Sequence, residues 1–249
     1  MAKIKCENLN NLLKFVYLDG KFEDCLISIE GGLATINGLE KQQQLFVHNT
    51  ENLGIEDCKL GIGNLKVLAG FTNVYAKQTM NLKIVDNRLI LTTKDKNELR
   101  FLMSHPDAIP SQSPVDEPIK LAMQGQTVKL ILNEKAVNDY MAYMKFTNCH
   151  SVSFVINEEG KMIMEGGLSS DHQFKVEFGE IELIDDDYEF DNQKFTVLRE
   201  FLTSVLKVLE FKEDENPEMF FGSEDTMVIR QNDNRLWALR VVSKNDQEN

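Results

Sequence analysis

One pattern occurs four times along the chain: an amphipathic helix followed by three short alternating strands joined by tight turns. It predicts helices at residues 8–18, 64–74, 133–147 and 198–209. A repeat of this length constrains the architecture more than any single motif does. Because two copies precede a proline-rich segment and two follow it, the chain is predicted to hold one two-repeat domain twice.

The first helix shows why the repeats are interpreted this way. Its apolar residues recur at the spacing of a single buried stripe, formed by Leu9, Leu12, Leu13, Val16 and Tyr17. Beyond it, residues 25–30 and 33–37 alternate between apolar and polar side chains, and Gly31-Gly32 separates them. Alternation around a glycine pair is typical of a β-hairpin. The predicted fold class is therefore α+β, with antiparallel sheets covered by helices.

The proline-rich segment sets the predicted domain boundaries. Four of the five prolines lie between residues 104 and 126, namely Pro106, Pro110, Pro114 and Pro118. Proline at this density is expected to exclude helix and interior strand and to favour an extended connector. The predicted division is a domain at 1–104, a connector at 105–126, a second domain at 127–243 and a polar tail at 244–249.

Charge is distributed unevenly. The net charge is −13. Basic residues outnumber acids by four in the helical segments 8–18, 63–77, 133–147 and 196–212, whereas the remainder carries an excess of 17 acids. In any one helix, the basic residues are explained as solvated lysines on its outer face. The repeat would place the helices side by side, which favours one mildly basic surface on an acidic protein.

Several functional classes find no support in the sequence. The cysteines, Cys6, Cys25, Cys58 and Cys149, are too widely spaced for a metal or disulfide framework, so reduced thiols and a cytoplasmic location are predicted. No apolar run approaches the roughly 20 residues that cross a bilayer. Residues 1–11 lack the apolar core of a signal peptide.

The candidate motifs for chemistry are weak. Gly61 and Gly63 lie between a strand and a helix, but Lys66 stands where a dinucleotide-binding turn needs its third glycine. Asp185, Asp186 and Asp187 lack the spacing of a calcium loop. The histidines, His48, His105, His150 and His172, show no metal-ligand spacing. No catalytic, cofactor-binding or metal site is predicted, and the chain is not expected to be an enzyme.

The repeat and the connector together resemble DNA polymerase sliding clamps, both the eukaryotic and archaeal type (PCNA) and the T-even phage type. The local likeness is strongest at residues 59–110. There LGIGNLKVL (60–68) leads through a helix to the hairpin NLKIVDNRL (81–89) and then to the prolines. As an architecture, the resemblance covers nearly the whole chain.

This resemblance implies a homotrimeric ring, closed head to tail, whose helices line a channel for duplex DNA. The ring would act as a processivity factor that a clamp loader places on DNA and that tethers a polymerase, without a cofactor or base readout. The cations expected to face the DNA are Lys14, Lys66, Lys77, Lys135, Lys145, Arg199 and Lys207.

The resemblance also implies a subunit interface and a partner pocket. Two alternating strands are expected to pair across the interface, one with Leu99, Phe101 and Met103 and the other with Phe174, Val176 and Phe178. Alternatively, these residues face their own core. A pocket for short hydrophobic partner peptides is expected beside the connector, lined by Leu39, Ile109, Val115 and Ile119.

Two other functions stay open at this point. One is a monomeric or dimeric viral processivity factor of the same fold, which holds DNA without encircling it. The other is an unrelated scaffold or enzyme with a repeated α+β plan. A viral protein would act in the host cytoplasm, at the nucleoid.

Overall fold

A computed structural model of the chain describes residues 2–113, 118–167, 173–184, 194–213, 215–222 and 225–242. Its contacts divide the chain into two compact units. The first unit comprises Met1–Gln42 and Phe46–Asp116, and the second comprises Gln43–Leu45 and Glu117–Asn249. The acidic run at 185–187, His172 and the tail at 244–249 lie outside the described residues.

The first unit contains two of the predicted helices. Its elements are β1 (Ala2–Lys5), α1 (Cys6–Tyr17), β2 (Cys25–Glu30), β3 (Leu33–Leu39), β4 (Leu45–Asn52), β5 (Cys58–Ile62), α2 (Leu65–Val74), β6 (Thr79–Val85), β7 (Arg88–Thr92) and β8 (Glu98–Leu102). Short 3-10 helices at Leu18–Gly20 and Pro106–Ala108 follow α1 and β8.

The second unit repeats this order after a short extra helix. Its elements are α3 (Pro118–Met123), β9 (Val128–Ile131), α4 (Glu134–Tyr143), β10 (Ser151–Ile156), β11 (Lys161–Gly166), β12 (Phe174–Leu183), β13 (Lys194–Leu198), α5 (Arg199–Leu206), β14 (Glu218–Phe221), β15 (Thr226–Gln231) and β16 (Arg235–Arg240).

Each main helix is preceded by a strand that joins the sheet of the other repeat. In the first unit β1 pairs with β6 and β5 pairs with β2, which gives the sheets β1-β6-β7-β8 and β5-β2-β3-β4. In the second unit β13 pairs with β10 and β9 pairs with β14, in the order β13-β10-β11-β12-β9-β14-β15-β16. All these pairs are antiparallel, which confirms the predicted fold class. Each repeat contributes a strand to the sheet of the other repeat. The two repeats of a unit are therefore expected to fold together.

The prediction missed strand β1. Only four residues long, it carries a single buried apolar side chain, Ile4, between Lys3 and Lys5. A pattern this short cannot be recognised by alternation. The strand exists because its backbone pairs with β6 between Ala2↔Leu82 and Lys5↔Thr79.

The expectation that the proline-rich segment would contain no helix is wrong. Pro118 begins α3, and Pro106 begins a 3-10 helix that the His105 side chain caps at the Asp107 N–H. Proline is well suited to the first helical position, because the N–H that it lacks would have no partner there. The Gln126 side-chain amide donates to the carbonyls of Ala122 and Thr226, which holds α3 against β15.

The first half of this segment is bonded to the strands of the first unit. The Ser104 N–H donates to the Gly61 carbonyl at 2.9 Å, and the Leu39 N–H donates to the Ser111 carbonyl at 2.8 Å. The Ser111 hydroxyl donates to the buried Asp24 carboxylate at 2.5 Å. Residues 104–113 therefore form a strap, which is hydrogen-bonded to the first unit at Ser104 and Ser111.

The Gly61 and Gly63 pair has a structural explanation in this strap. A Cβ at Gly61 would collide with the Ser104 carbonyl oxygen, and one at Gly63 would collide with the Ser104 hydroxyl. Because both positions are glycine, the strap can cross the end of β5 at close range. They do not form a dinucleotide-binding turn.

The helices bury the predicted stripes. In α1, Leu9, Leu12, Leu13 and Val16 are buried and Tyr17 is half-buried. Phe15 is also fully buried, so α1 is covered on more than one side. The buried Asn49 side chain in β4 donates to the carbonyls of Asn11 and Leu12, which fixes the helix to the sheet.

The buried side chain of His48 on β4 makes stability depend on pH. Burial lowers its pKa from 6.5 to about 4, and its Nδ1 lies 2.7 Å from the Asn37 side-chain oxygen. Between these pKa values the unfolded chain binds a proton that the folded chain does not, so stability falls as pH falls. We expect this group alone to lower the free energy of unfolding by about 2 kcal/mol from pH 7 to pH 5.

Urea denaturation of the wild type and of His48→Gln at several pH values checks this expectation. The variant should show a shallower pH dependence over this range, whatever its stability at pH 7. Parallel pH profiles for the two proteins would contradict it.

Candidate nucleic-acid interface

In the first unit, α1 and α2 pack against each other through a buried polar contact. The Thr72 hydroxyl donates to the Asn10 side-chain oxygen at 3.3 Å, and the Cys6 thiol donates to the Thr72 carbonyl at 3.3 Å. Burial raises the pKa of the Cys6 thiol to about 11, so it stays protonated at neutral pH. These contacts fix which faces of the two helices point outward.

The outward face of α2 is basic and carries small or neutral residues between its charges. Lys66, Gly70, Asn73 and the following Lys77 are all exposed and recur at helical spacing. No acidic residue lies between positions 63 and 77. On α1, Lys14 is half-buried, with its ammonium group 5.0 Å from the centre of the Phe15 ring.

In the second unit, α4 and α5 are joined by a hydrogen bond of 2.7 Å between the hydroxyls of Tyr140 and Thr203. Burial is the main cause that raises the pKa of Tyr140. The Arg199 guanidinium donates to the Thr147 carbonyl at 2.7 Å, so this half-buried cation also holds the turn after α4. Arg199 therefore stabilises this turn, in addition to its predicted role of facing the DNA.

The exposed cations of the second unit share their surface with acids. Lys135, Lys145 and Lys207 are exposed, as are Glu134, Asp139 and Glu200. Asn133 caps α4, with its side-chain oxygen accepting from the Lys135 N–H at 2.8 Å. Within the described part of the chain, Lys66, Lys77, Lys135 and Lys145 make no ion pair. Their ammonium groups are therefore open to solvent and anions.

The two strands predicted for a subunit interface both have a free edge. β8 ends its sheet and pairs with β7 alone. Residues 174–180 of β12 pair with β11 on one side, while on the other side β9 is bonded only to 181–183. Within the described residues, both backbones thus have open hydrogen-bonding groups.

The side chains predicted to meet a neighbour mostly face their own core. Phe101, Met103, Phe174, Val176 and Phe178 are all buried, and Leu99 is half-buried. Strand alternation identified which residues share a face, and in the single chain that face packs on its own core. Their contribution to an interface is therefore restricted to backbone and to the parts of side chains that reach the edge.

The predicted partner-pocket residues are spread over different environments. Leu39 is half-buried and Ile109 is buried, both in the first unit. Ile119 is exposed on α3 in the second unit. Val115 lies outside the described residues.

The described ranges contain no group of three or more histidine, cysteine or acidic side chains placed to hold a metal ion. They also contain no helix with the length and apolar character needed to span a membrane.

No protein-family model matches the sequence, and no curated protein matches it either. Solved structures do match. PCNA from A. fulgidus, in complex with the C-terminal region of FEN-1, has 14% sequence identity and a TM-score of 0.72 over 98% of this chain and 99% of that chain. The DNA polymerase III β subunit of Pseudomonas aeruginosa has 10% identity and a TM-score of 0.72 over 97% of this chain.

A third match is the Helicobacter pylori β clamp bound to a DNA ligase peptide, with 12% identity and a TM-score of 0.63 over 97% of this chain. The chain spans 66% of the length of each of these two bacterial subunits. At such low identities the likeness establishes the fold. The chain has the sliding-clamp fold, as the resemblance implied.

Proposed function

We propose that the protein is a sliding clamp that encircles duplex DNA and tethers a replicative DNA polymerase. The observation that carries the proposal is the clamp fold combined with the charge of four helical segments. Together with their adjoining turns, segments 8–18, 63–77, 133–147 and 196–212 carry four more basic than acidic residues in an acidic chain. Lysines on these helices would meet phosphates, which provides affinity without sequence preference. Their modest number suits a protein that has to move along DNA.

The ring would be a homotrimer closed head to tail, with domains at 1–104 and 127–243 joined by 105–126. The free edges of β8 and β12 support this assembly, because an unpaired strand favours pairing with another chain. A head-to-tail contact closes into a ring when the rotation between subunits permits it. The function is topological, so no bond is made or broken.

The expected protein partners are a polymerase and a clamp loader. The A. fulgidus and Helicobacter pylori clamps were solved with a segment of another protein bound. By analogy, short partner peptides would bind the first unit of this chain beside the strap, at Leu39 and Ile109.

Two measurements test the proposal together. Sedimentation should give three times the subunit mass of 28.5 kDa without DNA. Clamps loaded on nicked circular DNA should be retained and should be released when the circle is cut, because a ring leaves through a free end. A concentration-independent monomer that binds linear and circular DNA equally would overturn the ring and favour a non-encircling processivity factor.

A further inference from the structure

Two exposed aromatic side chains, Tyr143 and Phe146, lie at the end of α4 and in the turn that follows it. Phe146 is the most exposed large apolar side chain among the described residues, at 80% of its full surface. Its N–H donates to the Tyr143 carbonyl at 3.0 Å, so the two residues belong to one turn. Tyr143 is itself 45% exposed. Adjacent exposed aromatic side chains are typical of a protein-binding surface.

The aromatic patch, Tyr143 and Phe146, lies beside the free edge of β12. The Tyr143 ring stacks on the ring of Phe174, with centroids 5.7 Å apart and planes at 12°. Phe174 is the first residue of β12, and its ring lies over Gly166, where a Cβ would collide with it. Since helix α4 packs on β12, whatever pairs with that strand edge comes close to the patch.

The charges on the two strands favour one register for pairing between this edge and β8 of a second copy. Every strand pair described above is antiparallel. The exposed face of β8 carries Glu98 and Arg100, which are ion-paired with each other. The exposed face of β12 carries Lys175 and Glu177, which are ion-paired with Glu165 and Lys161 of their own subunit. An antiparallel pairing with Arg100 opposite Glu177 places opposite charges together. A slip of two residues would place Arg100 opposite Lys175 or opposite Gly179, which has no side chain.

This register determines what reaches the aromatic patch. With Arg100 opposite Glu177, Leu102 lies opposite Lys175 and Met103 lies opposite Phe174. Met103 would then lie beside the ring on which Tyr143 stacks, and thioether–aromatic contacts are favourable. Leu102, 67% exposed in the free chain, would be partly covered on the other face of the sheet.

We propose that Tyr143 and Phe146 of one subunit pack over the end of β8 of the next subunit and act as the anchor that closes the ring. The proposal rests on the proposed head-to-tail assembly and adds the residues that determine its strength. The occupant of the patch is a second copy of this chain. Buried aromatic side chains dominate the energetics of such contacts.

Phe146→Ala tests the anchor. Its side chain is exposed in the single subunit, so the melting temperature of the monomer should not change. The concentration at which half the rings dissociate should rise by about 10- to 100-fold, as expected for a lost aromatic anchor. Leu33→Ala, which removes another exposed apolar side chain from the interior strand β3, is the matched control and should leave ring dissociation unchanged.

A pair of cysteines tests the register. Leu102→Cys combined with Lys175→Cys should give a covalently closed trimer under mild oxidation, whereas each single variant should not. Glu98→Cys with Lys175→Cys, which would be opposite each other in a parallel pairing, should give no cross-link.

The outcomes separate this inference from the proposed function. A wild-type chain that is monomeric at all concentrations overturns both. A wild-type trimer whose dissociation is the same in Phe146→Ala overturns only the anchor. A cross-link in the parallel pair and none in the antiparallel pair overturns the register, and with it the placement of Met103 at the patch.

Discussion

Replacing Lys66, Lys77, Lys135 and Lys145 together by glutamate is expected to shorten the lifetime of the loaded protein on DNA by at least about 100-fold. Each change converts an attraction to phosphate into a repulsion, and a trimer contains every change three times. All four ammonium groups are exposed, and none is ion-paired within the described residues, so the changes break no internal contact. The subunit mass and the trimer should therefore be preserved.

The measurement is retention on nicked circular DNA over a range of salt concentrations, together with the product length of the polymerase. Binding through phosphates weakens with salt, and the dependence of retention on salt should become shallower in the variant. A loss of retention that is independent of salt would point to a damaged ring rather than to lost phosphate contacts.

The chain offers a control with an identical change in charge. Lys59, Lys83, Lys94 and Lys96 are also exposed and lack an ion pair in the described structure, but they lie on strands and hairpins. Their replacement by glutamate should leave retention largely intact. If both quadruple variants lose retention equally, net charge rather than the helix surface governs DNA binding, and the assignment of the helices is wrong.

Regular periodicity explains which parts of the fold could be predicted. Strand β2 was predicted with the bounds that it has, Cys25–Glu30, because it alternates and ends at a glycine pair. Two helices were predicted too long: α4 ends at Tyr143 and α5 at Leu206. Apolar residues continue past both ends at helical spacing, and the sequence contains no stop signal there.

The sequence predicts the environment of a single residue less well than it predicts helices and strands. The outward lysines of α2 were predicted because an amphipathic helix has only one polar side. Phe101 and Phe174 were assigned to a neighbour because alternation does not distinguish a core-facing side from an interface. Phe146 lies beyond the last residue of α4, where helical spacing no longer applies, so its exposure is visible only in the structure.

Gly61→Ala and Gly70→Ala add the same methyl group with opposite expected effects. At Gly61 the new Cβ would collide with the backbone oxygen of Ser104, which cannot rotate away. The strap has to move, and the bond between the Ser104 N–H and the Gly61 carbonyl is then weakened or lost. We expect the free energy of unfolding of the first unit to fall by about 2–4 kcal/mol, which combines overpacking with a lost hydrogen bond.

At Gly70 the new Cβ meets nothing within 4 Å, on the exposed side of α2. Alanine favours the helix over glycine by about 1 kcal/mol, so this variant should be more stable than the wild type. Urea denaturation measures both changes, and hydrogen exchange at the Ser104 amide reports whether the strap has detached. Fast exchange at Ser104 in Gly61→Ala alone would locate the damage at the crossing. Equal stability of the two variants would mean that the strap adapts to the methyl group and that the close crossing does not require glycine at position 61.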